Sequence, residues 1–202
     1  GLKDSAQNWV VPAQYTYISK TSTGHFIIHY DSKLGLLDSK ANEVLPVEYK
    51  HIAGYPNNWT ILDYNYGNHV TQQAPKFIRV QKENAVGLVD FNGREILPIE
   101  YNNIRQNAGD IAAVKLVNDT VHYTHFYDQN GNSRFTVKGM VSEFYNGYAL
   151  VAKSISYTKM AYGQCGMIDR RGNVIIPRIY ESMWFSCNNW IQVGNKEENY
   201  GL

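Results

Sequence analysis

Hydrophobic residues along this chain fall in short clusters, not in long amphipathic stretches. Five apolar runs, Phe26–Ile28, Phe77–Val80, Ile111–Val114, Tyr148–Val151 and Trp190–Val193, are closely preceded by Gly24, Pro75, Gly109, Gly147 and Asn189. Short runs rich in β-branched and aromatic residues, opened by turn formers, read as strands. The stretch from Gly87 to Asp90 alternates and suits a half-buried strand. No segment sustains the three-and-four spacing of an amphipathic helix. The pattern predicts an all-β fold.

The strands also repeat. Val86–Ile104 and Cys165–Met183 carry the same residues at the same offsets, Leu34–Ile52 is a third copy and Gly1–Ile18 a fourth. In each, eight residues separate an aspartate from a proline: Asp4 and Pro12, Asp38 and Pro46, Asp90 and Pro98, Asp169 and Pro177. A tyrosine follows three residues later, at Tyr15, Tyr49, Tyr101 and Tyr180. A decayed copy begins near His125 and keeps Asp128 and Gly131 without the proline or the tyrosine. The expectation is one β-repeat domain of five tandem antiparallel β-meander units of about 40 residues. Their bounds are 1–34, 35–86 (with an insertion at about 53–75), 87–124, the degenerate 125–165 and 166–200, and 201–202 opens a further unit.

Local chemistry explains the offsets. Asp90 can accept bonds from backbone N–H groups two residues on, and Gly93 supplies the positive φ of a bulged turn. Ile96 and Leu97 form the returning strand, which Pro98 is expected to end because proline donates nothing to a ladder. One unit cannot bury its apolar face alone, so neighbours must cover it. Blades of a propeller-like ring satisfy that need, as does an open β-solenoid or superhelical stack. The restart at Gly201 suits a ring, whereas termini without polar caps suit a piece of a longer array.

These boxes resemble the WG repeat, a bacterial family whose units read roughly Trp-Gly-hydrophobic-hydrophobic-Asp, then glycine, then Pro-x-x-Tyr. The resemblance is strongest over Gly87–Ile104 and Gly166–Met183. The aromatic before the glycine is replaced by Leu34, Val86 and Cys165, and Tyr200 alone retains it. What the resemblance implies is interaction, not a particular activity.

Charge narrows the partners. With 19 basic against 18 acidic residues and no long run of either sign, the chain lacks the basic stripe of a nucleic-acid binder. No apolar run approaches the roughly 20 residues that span a bilayer. The chain opens at Gly1, not at a methionine, so a missing leader says nothing about compartment. An extracytoplasmic location, periplasmic or surface, is the expectation over a cytoplasmic one. Cys165 and Cys187 match no zinc or CxxC spacing and read as buried or half-buried thiols, with a disulfide between them as the alternative.

Candidate chemistry is sparse. The repeated Asp4, Asp38, Asp90, Asp128 and Asp169 supply one carboxylate per turn, too few for calcium, and read as turn caps. The repeated tyrosines read as packed rings bonded to neighbouring backbone, with sugar stacking as the alternative. His122 and His125, three apart on a strand, face opposite ways and do not form a metal pair. Glu48 and Glu100 invite a two-carboxylate hydrolase reading, but equivalent positions in successive repeats lie about a repeat apart and read as solvated. No nucleophile elbow, phosphate loop or HExxH is present. Trp184 and Trp190 read as packing residues. Asn58 and Asn118 head glycosylation sequons that matter only in a eukaryotic secretory host.

The most informative irregularity is the insertion after Ile52, where the first unit crosses with only Ser19–Gly24. It carries Tyr55, Trp59, Tyr64, Tyr66 and His69 among asparagines and glycines. Insertions in repeat proteins often mark the binding face, and such compositions suit adaptable contacts. The alternative is an extra hairpin patching the core. The expectation is a non-enzymatic module without metal or cofactor that binds a protein or carbohydrate ligand through these residues. A scaffolding array within a larger protein is the second reading and a hydrolase the third.

Overall fold

The computed structural model describes residues 1–55, 75–118, 121–155, 160–186 and 190–195. Among the described residues the secondary structure is all β, in antiparallel sheets. The chain divides into two compact units, Gly1–Glu100 and Tyr101–Leu202.

The first unit opens with a two-stranded sheet of β1 (Leu2–Lys3) and β2 (Trp9–Val11). A four-stranded meander follows, formed by β3 (Tyr17–Lys20), β4 (Phe26–Tyr30), β5 (Lys33–Leu37) and β6 (Glu43–Tyr49). A second meander contains β7 (His51–Tyr55), β8 (Phe77–Lys82), β9 (Ala85–Val89) and β10 (Glu95–Tyr101). In the second unit, β11 (Asn103–Asn107), β12 (Asp110–Val117), β13 (Val121–Tyr127) and β14 (Ser133–Lys138) make another four-stranded sheet. The last sheet has β15 (Met140–Val141), β16 (Tyr148–Ala152), β17 (Ser154–Ile155), β18 (Met160–Asp169), β19 (Val174–Phe185) and β20 (Ile191–Gly194).

Both faces of the inner strands are covered, and this is why those strands read as continuous apolar runs. Ile27 joins a cluster with Leu36, Ile52, Ile78 and Val80, while its neighbour Ile28 packs with Val11 and Leu37 on the other face. Successive side chains of a strand point oppositely, so each must meet a different layer. In the second unit Ala149 and Val151 of β16 pack with Phe126 and Ile168, and Leu150 and Ala152 pack with Met167 and Met183.

The sheets are out of phase with the repeats counted from each glycine. Every four-stranded sheet starts just past one Pro-x-x-Tyr box, or past the corresponding end of the two-stranded hairpin, and finishes with the next hairpin. The strand closing one sequence unit thus pairs with the hairpin that opens the following one.

Proline does not end the returning strand. β6, β10 and β19 run through Pro46, Pro98 and Pro177. The ladder shows why it is tolerated. Leu34 pairs with Tyr49 and Leu36 with Leu45, so Gly35 alone faces Pro46, Val47 and Glu48. Cys165 pairs with Tyr180 and Met167 with Ile176, which sets Gly166 opposite Pro177, Arg178 and Ile179. The proline sits in a bulge where its missing N–H breaks no ladder bond. A Cβ on Gly35 would lie 2.9 Å from the Leu45 carbonyl oxygen, and one on Gly87 2.8 Å from that of Leu97. The repeated glycine is therefore required by close approach of the bulged strand.

Candidate binding surfaces

The repeated aspartates are turn caps. Asp38 Oδ1 accepts from the amides of Lys40 and Asn42, both at 2.8 Å, and Oδ2 accepts from Asn42 Nδ2 at 2.8 Å. Asp128 and Asp169 repeat this with Asn130 and Asn132, and with Arg171 and Asn173. Asp4 bonds Asn8 in the same way, while at Asp90 the fifth residue is Arg94, whose Nε reaches Oδ2 at 3.2 Å. The fourth residue of each turn has positive φ: Gln7, Ala41, Gly93, Gly131 and Gly172. The asparagine at the fifth position was legible as Asn8, Asn42, Asn132 and Asn173, but sequence reasoning passed over it. These bonds lower the pKa of Asp38 and Asp169, chiefly through the side chains of Asn42 and Asn173, and that of Asp4, chiefly through the Asn8 amide.

The tyrosines pack as expected, with one difference in partner. Tyr49 and Tyr101 are buried, and Tyr15 and Tyr180 lie against the neighbouring clusters. The Tyr101 hydroxyl meets that of Tyr127 at 2.5 Å, because β13 presents a side chain at that point. Burial raises the pKa of Tyr49.

The remaining candidates separate in space. Glu48 is held by Lys82 Nζ at 2.5 Å on the edge strand β6, and Glu100 lies on β10 of a different sheet. His125 Nδ1 bonds Thr136 Oγ1 at 3.0 Å. His122 lies on the opposite face of β13. Cys165 is buried and unpaired, with its thiol pKa raised by that burial. Cys187 lies outside the described residues. Trp184 is half-buried, but Trp190 is 72% exposed, contrary to the packing expected of it. It precedes β20, which is the edge strand of its sheet among the described residues.

Of the insertion residues, Trp59, Tyr64, Tyr66 and His69 lie outside the described residues, as does Asn58. Tyr55 is buried at 4% and pairs with Phe77, itself 7% exposed, while the Lys76 amide donates to the Tyr55 carbonyl at 2.9 Å. Tyr55 is thus the buried root of a β-paired stem from which the inserted chain departs and returns. The sister hairpin β11–β12 turns at Ala108 and Gly109 alone.

One concavity was not anticipated. A cavity of about 340 Å³ in the second unit is lined by His122, Lys138, Gly139, Lys153, Gln164 and Arg178, with Val121 at its rim. A second, of about 230 Å³, shares His122 and includes Arg105, whose Nη2 donates to the Val141 carbonyl. Among the described residues no acidic side chain lines either. The signal for this feature was Arg178, which stands at the box position held by aliphatic Val47 and Ile99 elsewhere.

A family model described as the WG containing repeat matches residues 87–119 and 166–196, so the chain carries WG repeats at these two segments. No curated protein matches the chain. Among solved structures, one described as a crystal structure of the eukaryotic initiation factor is similar at 10% identity and a TM-score of 0.42. That likeness covers 97% of this chain and 55% of that one. At this level it carries no argument about fold or function.

Proposed function

We propose that this repeat protein is a non-enzymatic binding module for a protein or glycan, and that the insertion following Tyr55 is its working surface. The observation that carries this reading is the stem. Tyr55 and Phe77 close a paired and buried base at a point where the sister hairpin needs only a two-residue turn. A long aromatic segment anchored at both ends by a ladder is held at a defined place on a rigid sheet, as binding loops are. The carboxylates that recur in the chain support a structural role, since their oxygens are engaged by their own turns.

Replacing residues 56–74 by a short Gly-Asn turn tests this. Partner capture on a glycan array or by affinity purification is expected to disappear while the melting temperature is kept. Retained capture would sink the proposal.

A second reading, an architectural array, is favoured by a different observation. Glu43 and Glu48 flank Pro46 on β6, and Glu95 and Glu100 flank Pro98 on β10. The matching residues of β19 are Val174 and Ile179, exposed at 67% and 68%. Among the described residues β20 covers only Ser182–Phe185 of β19, so Val174–Glu181 has no outer partner there. Charged residues on such open stretches block association, and exchanging them for aliphatic ones suits lateral contact with another β element.

A further inference from the structure

We infer that the cavity beneath Gly139 is an oxyanion site, built to take the phosphate or sulfate group of a small ligand. It lies wholly in the second unit and stands independently of the proposal for the insertion. Three cations from three strands converge there: Lys138 at the end of β14, Lys153 between β16 and β17, and Arg178 on β19. The whole chain is nearly neutral, at +1, yet among the described residues no carboxylate lines this space and none of the three makes an ion pair. Like charges gathered around a concave surface focus a positive potential that an anion relieves.

The arrangement is also held in place. Arg178 Nε donates to the Gln164 carbonyl at 2.8 Å and its Nη1 donates to the Lys138 carbonyl, so the guanidinium is fixed between two walls of the cavity. A guanidinium has five N–H donors, and these two bonds leave three. Gly139 makes the approach possible. Its φ is +126°, and a Cβ there would lie 2.9 Å from the Ala152 carbonyl oxygen and 3.2 Å from Arg178 Nη1. Its amide donates to the His122 carbonyl at 2.7 Å, and its carbonyl accepts from buried Thr124 Oγ1 at 2.8 Å. Gly163, at φ +73°, and Gln164, at +52°, form the opposite bulge, where the Lys153 amide donates to the Gly163 carbonyl at 3.0 Å.

Two lysines and a tethered guanidinium, carried on three separate segments of the chain, suit a tetrahedral oxyanion better than a planar carboxylate, which favours an open bidentate fork. A space of about 340 Å³ is that of a small-ligand pocket and exceeds what a bare ion needs.

The test uses the full chain, isotope-labelled, with inorganic phosphate, sulfate, chloride and ribose 5-phosphate titrated at constant ionic strength. Saturable amide shifts confined to residues 121–122, 138–139, 153 and 163–164 are expected with phosphate and sulfate but not with chloride. The Lys138→Gln/Lys153→Gln double variant, altered only at exposed positions, is expected to weaken phosphate about tenfold. Tighter binding of the sugar phosphate than of the free ion identifies an organic phosphate as the natural source, and equal binding identifies the free anion. Absence of saturable shifts, equal response to chloride, or an unchanged affinity in the double variant would each overturn the inference.

Discussion

Two hairpins of this molecule share a turn and differ in everything beyond it. In β5–β6 the glycine Gly35 faces Pro46, Val47 and Glu48, and Tyr49 is brought back into register opposite Leu34. In β13–β14 the residue corresponding to that glycine is His125, which faces Thr136 alone, and Val137 stands opposite Thr124 where the tyrosine would be. Both turns keep the aspartate and its asparagine. Glycine, proline and tyrosine are therefore one device and not three. The proline occupies surplus residues that cannot all join the ladder, the glycine makes room for the carbonyl that the surplus pushes inward, and the tyrosine re-enters beyond it. Once the proline is lost only the register shift beside the turn remains, between Phe126 and Tyr127, and a full side chain fits where glycine was obligatory.

The largest expected effect follows from that difference. Gly87→Ala sets a methyl 2.8 Å from both the Leu97 carbonyl oxygen and Ile99 Cγ1, and is expected to destabilise by about 2–3 kcal/mol. His125→Ala removes a hydrogen bond to Thr136 without any clash and is expected to cost about 1 kcal/mol. Urea unfolding of the two variants measures the contrast. Equal losses would show that the glycine is not held by the close approach of the bulge.

The tyrosines sharpen the comparison at lower energy. Tyr101→Phe leaves the Tyr127 hydroxyl without its 2.5 Å partner and is expected to cost about 1 kcal/mol. Tyr49→Phe removes a hydroxyl with no hydrogen bond among the described residues and is expected to be near neutral. Differential scanning calorimetry separates the two, and a larger loss at Tyr49 would contradict the assignment.

How much of this was legible follows the same line. The aspartate-to-proline interval, the five turns and the closing strands at Phe26, Phe77, Ile111, Tyr148 and Trp190 could be read because each is a property of one stretch of chain. The bulge could not, because it is a relation between two strands, and Pro98 alone suggests a terminator. The decayed copy showed as missing letters, but the one-to-one pairing of His125 with Thr136 arises only from the ladder. The cavity at Arg178 was half visible: an arginine replacing Val47 or Ile99 breaks the box, but Lys138 and Lys153 lie in the preceding repeat, and Lys138 comes from a different sheet. The insertion announced itself by length, while the burial of Tyr55 depends on its pairing with Phe77.

Acid should distinguish the shared part of the two hairpins from the differing part. Hydrogen bonds hold Asp4, Asp38 and Asp169 below their ordinary carboxyl range in the folded chain. A depressed folded pKa contributes stability that is present above the unfolded value, about 3.9, and is lost as pH falls through the folded values. The melting temperature is therefore expected to be flat above about pH 5 and to fall below about pH 4. Asp38→Asn is expected to lower the plateau and to shrink the acid-side fall, since the variant has one fewer carboxylate to protonate. An unchanged fall would mean that other carboxylates carry it.

The smallest expected effect concerns the sheet edges. On β6, Glu48 pairs with Lys82, whose ammonium lies 5.0 Å from the centre of the Tyr49 ring. On β19 the matching Ile179 is 68% exposed and has no charge to offer. Glu48→Ile removes a half-exposed ion pair and is expected to cost about 0.5 kcal/mol. Val174→Glu/Ile179→Glu introduces charge at exposed positions and is expected to stay within about 0.5 kcal/mol of the parent. Sedimentation velocity should respond more than stability does. Glutamates on the Val174–Glu181 stretch of β19, which no outer strand covers among the described residues, are expected to suppress concentration-dependent association and isoleucine on β6 to promote it, because a row of unpaired backbone groups recruits another strand unless charge opposes it. If the β19 variant and the parent sediment identically at every concentration, that edge is not a contact surface between copies. The architectural reading would then lose the observation that favours it.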